Sequence, residues 1–198
     1  MYDITDFTQF LVDEFENRIV QLGENNVAAF IAEPIMGAGG VLVAPNGYHK
    51  AMHEMCKKYD ILYIADEVVT SFGRLGHFFA SEAVFDMQPD IIITAKGISS
   101  GYIPLGAAII SDKVWDVVSN PKTGGGVLTM GYTYSGHPVA CAAALKNIEI
   151  IERENILAHV KEVGPYFQAK MKTLSDLPIF GDARGIHLML GIEFVANN

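Results

Sequence analysis

The sequence predicts an α/β fold, a mainly parallel sheet flanked by helices. Three observations carry this. Short apolar runs recur at residues 27–32, 61–65, 90–95 and 106–110, each strand-sized and too short for a stable helix. Segments of helical apolar spacing lie between them, and such alternation argues for βαβ units. The first three runs each end in charged side chains, Glu33, Asp66 and Lys96. Ligands of parallel sheets gather at the carboxyl ends of strands.

Each element has its own justification. Phe7, Phe10, Leu11, Phe15, Ile19 and Leu22 recur at helical spacing and predict an amphipathic helix over residues 5–22, with Gly23 as its stop. Residues 27–32 form a continuous apolar run, as expected of a strand buried on both faces. Glu33-Pro34 follows, then a Gly37-Ala38-Gly39-Gly40 loop. Pro45-Asn46-Gly47 opens a helix to about Tyr59, with Ala51, Met52, Met55 and Cys56 as its apolar face. The strands at 61–65 and 90–95 come next, and residues 106–110 give a fourth. A short helix is expected at 112–119, where Trp115 reads as a core or interface anchor. Pro121 to Gly131 is a glycine-rich loop. His137-Pro138 starts a long helix to about Arg153, and Asn155 caps another running toward Leu174. Gly164-Pro165 predicts a kink or break in that last helix. Strand-like segments follow at 179–180 and 187–194. A domain junction is expected near residue 150, dividing 1–150, part of a large domain, from 151–198, the start of a smaller one.

Composition narrows the function. The chain has 198 residues, half of them hydrophobic, and a formal net charge of −9. That balance lacks the basic footprint of a nucleic-acid binder. No apolar run is long enough to span a bilayer, so no membrane association is expected. Cys56 and Cys141 lie in apolar helical patterns outside any CxxC arrangement, and both read as inert core residues of a reducing, cytoplasmic compartment. His49 and His53 stand one helical turn apart, but no acidic partner set accompanies them, so no metal is expected.

The strand-end charges suggest the chemistry. A lysine after a buried strand needs a partner, an exit to solvent, or a task such as binding an aldehyde cofactor. Asp66 and Lys96 could pair with each other, or both could serve a cofactor between them. Pyridoxal phosphate needs this set: a lysine for its aldehyde and a carboxylate to keep its ring nitrogen protonated. The same lysine, once released by an incoming amine, is placed to shuttle a proton.

Five blocks make a family resemblance specific. They are Ala32-Glu33-Pro34-Ile35 with its glycine-rich turn; Ala65-Asp66-Glu67-Val68-Val69-Thr70-Ser71-Phe72-Gly73-Arg74; Pro89 to Gly97, extending to Pro104-Leu105-Gly106-Ala107; Tyr132 to Pro138; and Arg184 to Met189. In this order and spacing the chain resembles the central part of a class III aminotransferase of the ω-amino acid or amine:pyruvate type, a fold type I pyridoxal-phosphate enzyme. The resemblance implies transfer of an amino group from an ω-amino acid or amine to pyruvate or another 2-oxo acid. It implies that Lys96 forms the Schiff base with pyridoxal 5'-phosphate, Asp66 pairs with the ring nitrogen, and Val68 packs on the ring face. Thr133 would bond the cofactor phosphate of the neighbouring subunit, making the protein a homodimer. Glu33 would lie on the substrate side or serve as a strand-end salt-bridge partner. Arg74 reads as structural, and His137 as part of the helix entry.

Departures from the pattern also carry expectations. Members acting on ornithine or γ-aminobutyrate carry Gln where this chain has Val69, which weakens those substrates. Ser71 and His187 stand where glycine is usual. Family members are much longer, so the chain is expected to be a fragment. It would lack the upstream phosphate loop and stacking aromatic, and the downstream arginine for a substrate carboxylate. Weak cofactor binding follows from that expectation. Two alternatives stay open: a non-catalytic, dimerising remnant, or another class III member such as a diaminopelargonate-forming aminotransferase or a semialdehyde aminomutase.

Overall fold

The structure, a computed structural model, describes residues 4–120, 128 and 130–196; most of the expected glycine-rich loop lies outside them. Its first half runs α1 (Ile4–Leu22), β1 (Ala29–Ala32), β2 (Ile35–Met36), β3 (Leu42–Val43), α2 (Tyr48–Lys58), β4 (Leu62–Asp66), α3 (Ala80–Phe85) and β5 (Ile91–Thr94). It continues with β6 (Ala107–Ile110), α4 (Asp112–Ser119), α5 (Pro138–Arg153), α6 (Ile156–Lys172), β7 (Phe180–Ile186) and β8 (Met189–Phe194). The principal sheet has the order β1-β4-β5-β6. Its first three strands are parallel, and β6 pairs antiparallel with β5. β2–β3 and β7–β8 form two small antiparallel pairs.

Helices α1 and α2 cover one face of the sheet. Val12 and Ile19 of α1 meet Met52 and Cys56 of α2 over Tyr63 and Ala65 of β4. Phe30 of β1 sits between Phe15 and Tyr63, with ring centroids 4.7 and 5.3 Å away. Each large apolar side chain so buried contributes about 1.5–3 kcal/mol. This layer fixes the sheet, and the sheet fixes the site at its carboxyl edge.

Several expectations need correcting. β1 is not buried on both faces: it alternates, and Ile31 is 56% exposed. It is an edge strand of the described sheet, and α1 and α2 cover only the face bearing Phe30. Trp115 is 53% exposed, so of its two expected roles, core or interface anchor, the core one does not hold. Cys56 is fully buried, whereas Cys141 is only half-buried. α6 runs unbroken through Pro165. Proline removes one helical hydrogen bond, but the buried Val160 and Gly164, both just before it, anchor the helix there. Asn155 takes the N-cap position in the left-handed region, without a side-chain capping bond. His187 and Leu188 form the tight turn between β7 and β8 rather than strand, with His187 at φ 48°.

Candidate active site

Strand register brings three charged residues to one edge. Ala32 pairs with Ala65, and Asp66 with Ile93. Glu33 and Asp66 therefore each follow directly on that first pair, and Lys96 comes three residues beyond Ile93. Among the described residues Lys96 makes no hydrogen bond or ion pair with Asp66, so the simple salt-bridge reading does not hold.

Lys96 opens a 3-10 turn (Lys96–Ser99) and is exposed. Its φ is 39°, in the left-handed region that a β-carbon disfavours. It borders a cavity of about 410 Å³ with Val69, Phe72, Arg74 and Ser100. The next residue must be glycine: a Cβ on Gly97 would stand 2.9 Å from Phe72 Cβ and 3.2 Å from the Ser71 carbonyl. Ser71 Oγ donates to the Glu67 carbonyl at 2.6 Å and lies 2.7 Å from Thr94 Oγ1. The loop after β4 is thus tied to the end of β5, immediately before the lysine.

Asp66 and Glu67 go to opposite sides, as strand alternation requires. Asp66 Oδ1 accepts the Val68 N–H at 3.1 Å, and Oδ2 has no partner among the described residues. Asp66 borders a second, largely apolar cavity of about 710 Å³, shared with Glu33, Met36 and His49. Glu67 is fully buried and accepts the N–H groups of Ala80 and Ser81 at 2.7 and 2.8 Å, and the Thr70 hydroxyl at 3.1 Å. Its work is to hold the first turn of α3. Glu33 Oε2 accepts the Gly37 N–H at 2.8 Å, and among the described residues no cation pairs with it. Its carboxylate is held by the glycine-rich loop instead.

Other residues fall less centrally. Val68 is half-buried but does not border the cavity that Lys96 opens onto; its neighbour Val69 does. Thr133 is exposed in the 132–136 turn and borders neither cavity. His137 is at the helix entry: its Nδ1 accepts the Val139 N–H at 3.2 Å. Arg74 donates to the Leu188 carbonyl at 3.3 Å. Among the described residues no cluster of three metal-ligating side chains exists. His49 is instead a buried bridge, with Nε2 2.9 Å from the Pro34 carbonyl and Nδ1 2.9 Å from Tyr63 Oη. Burial holds its pKa below the ordinary value and pushes the Cys56 thiol up to about 12, leaving that thiol inert.

One residue of the site has no signal in the sequence. Asn147 of α5 donates to the Gly97 and Ile98 carbonyls at 2.9 and 3.1 Å and accepts from Ser100 Oγ at 2.7 Å. It stands in an alanine-rich helix 50 residues from Gly97, and nothing local marks it.

Comparison with known proteins identifies the family and the fold. The family model for class-III aminotransferases matches residues 3–198. A probable γ-aminobutyrate transaminase 3, mitochondrial, of Oryza sativa subsp. indica is 45% identical over 192 residues, 97% of this chain and 38% of its own length. A putrescine–pyruvate aminotransferase of Pseudomonas aeruginosa is 46% identical over 193 residues, 97% of this chain and 41% of its own. The crystal structure of the omega transaminase from Pseudomonas jessenii in complex with PMP superposes with a TM-score of 0.92 at 40% identity, covering 98% of this chain and 43% of that one. The chain therefore spans 38–41% of the length of these curated relatives. Similarity to the γ-aminobutyrate relative is as high as to the putrescine one, so identity alone does not support the expectation drawn from Val69.

Proposed function

The chain belongs to the class-III aminotransferase family, and from that premise we propose that it carries the reactive-lysine part of a pyridoxal-phosphate aminotransferase. The observation that carries this is the convergence of Glu33, Asp66 and Lys96 at the carboxyl ends of three parallel strands. The reaction is transfer of an amino group from an ω-amino acid or amine to pyruvate or another 2-oxo acid. The putrescine–pyruvate and γ-aminobutyrate names of its relatives support those donor and acceptor classes.

The residues fit the cofactor in two respects. Lys96, a residue lining a cavity, offers an amine free of hydrogen bonds and ion pairs among the described residues. Asp66 keeps one carboxylate oxygen open at the end of the neighbouring strand. When bound, pyridoxal phosphate supplies the aldehyde and an electron-withdrawing ring. Lys96 Nζ would be the group that holds the aldehyde, and as a free amine it would carry a proton to or from the substrate's alpha carbon. Asp66 would hold the proton on the ring nitrogen. Val68 would contact the ring, and Glu33, oriented by the Gly37 N–H, would serve the substrate side. Thr133 would serve the cofactor phosphate of a second subunit, in a homodimer. The division near residue 150 into large and small domains, and a reducing, cytoplasmic setting, belong to the same proposal.

The test is an absorbance spectrum after adding pyridoxal phosphate, then borohydride reduction and peptide mapping. A new long-wavelength band, with the adduct on Lys96 and lost in Lys96→Ala, is the expected result. Adducts scattered over surface lysines, with no band, would overturn the reading for this chain and leave it a non-catalytic bearer of the family's segment.

A further inference from the structure

We infer that Asn147 is a positioning residue for Lys96, holding the turn after it so that the lysine keeps its left-handed backbone beside the cavity it lines. The inference rests on the proposed role of Lys96.

The geometry points to Asn147 in three steps. First, Lys96 and Ser100 both lie at positive φ, 39° and 49°. Left-handed backbone disfavours a residue with a β-carbon, so two such residues within five positions need something to hold them. Second, the turn supplies little of this itself. Ile98 N–H bonds the Ala95 carbonyl at 3.0 Å and Ser100 N–H bonds Gly97 at 3.2 Å. Both bonds are local; the buried Ser99, bonded through Oγ to the Ile103 carbonyl at 2.7 Å, ties the turn only to the loop that follows it. Third, all three hydrogen bonds of the Asn147 side chain land on this turn and come from a different element. Its amide donates to two successive carbonyls, which requires those carbonyls to converge, and convergence fixes the peptide planes between them. Its carbonyl takes the Ser100 hydroxyl at the far end. An amide provides both polarities from one side chain. Neither aspartate, without donors, nor leucine, without either, reproduces the set. On the other side, Gly97 is pressed against Phe72 and the Ser71 carbonyl. The segment is therefore held from both sides, by close packing and by Asn147.

Asn147 acts through the backbone that follows Lys96 and is not itself a catalytic residue. Its loss should change how the amine reacts more than how the chain folds.

The experiment uses the 198-residue chain and three variants, Asn147→Ala, Asn147→Asp and Ser100→Ala. Reductive methylation with labelled formaldehyde, without cofactor, reads the pH dependence and rate of Lys96 modification. Borohydride trapping with pyridoxal phosphate reads capture at the same atom, and thermal midpoints report folding. Asn147→Ala and Asn147→Asp are expected to lower trapped Lys96 about tenfold and to shift its methylation profile, with midpoints close to the parent. Ser100→Ala, which removes one bond of three, is expected to lower trapping about twofold. Unchanged methylation and trapping in Asn147→Ala would overturn the inference. So would losses that track the thermal midpoint, because Asn147 would then serve folding alone. If the parent chain traps no cofactor on Lys96, the functional proposal fails, and the methylation profiles still decide the role of Asn147.

Discussion

His49 shows how a single residue ties stability to pH. Its Nε2–H donates to the Pro34 carbonyl, and its Nδ1 accepts from Tyr63, an arrangement suited to the neutral ring. Burial lowers its pKa from the ordinary 6.5. The unfolded chain therefore binds a proton more readily than the folded one once the pH drops below about 6.5. Stability is full above that value and declines as pH falls toward the folded pKa. His53, also lowered by burial, adds in the same direction. The urea midpoint is expected to be lower at pH 5.5 than at 7.5, and His49→Gln should show a smaller difference between the two. An equal difference in both proteins would assign the effect elsewhere. His49 also illustrates what a sequence conceals. Glu33, Asp66 and Lys96 were legible because a charge ending an apolar run is an anomaly that burial energetics must resolve. His49 and Asn147 are ordinary polar residues on helices. Their roles exist only once a distant carbonyl or hydroxyl is folded against them.

At the scale of elements, apolar spacing located α1 and α2, short apolar runs located the four strands of the main sheet, and α4 and α5 were expected between the turn signals, because burial enforces such patterning. It missed α3, whose six residues are far too few to hold a helix by propensity. The buried Glu67 carboxylate, bonded to the N–H groups of Ala80 and Ser81, supplies what the local sequence lacks. It also misjudged α6, where tertiary packing outweighs Pro165. That packing is specific enough to test. A Cβ on Gly164 would lie 2.6 Å from His187 Nδ1 and 2.8 Å from its Cα and Cβ. In an open helix Gly→Ala gains about 1 kcal/mol; here Gly164→Ala is expected to destabilise by about 1–3 kcal/mol through overpacking. His187→Gly removes two of the three close contacts and relieves the residue's positive φ. Urea denaturation of the double-mutant cycle should therefore show Gly164→Ala costing at least about 1 kcal/mol less in the His187→Gly background. Additive effects would mean that α6 and the β7–β8 turn are not packed as described.

For the whole molecule the telling feature is surface the described chain leaves uncovered. Leu128, Met130, Tyr132 and Tyr134 are 57%, 71%, 79% and 80% exposed, along the stretch that leads into α5. Clustered aromatic and methionine side chains in water are characteristic of interfaces. Thr133 lies among them, exposed and remote from the cavities at the strand ends. On the proposed reading Thr133 serves the phosphate of a second subunit, a role the family resemblance implied and the sequence alone could not derive. That reading predicts self-association through this stretch. Light scattering across a concentration series is expected to show the mean mass rising toward twice the monomer value. Tyr132→Ser with Tyr134→Ser should weaken association at least about tenfold, since buried tyrosines commonly contribute more than 1 kcal/mol each at interfaces. The circular dichroism of the variant should match the parent, because neither ring packs in the core. A mass that stays monomeric at every concentration, or a dimer indifferent to both substitutions, would remove Thr133 from the cofactor site.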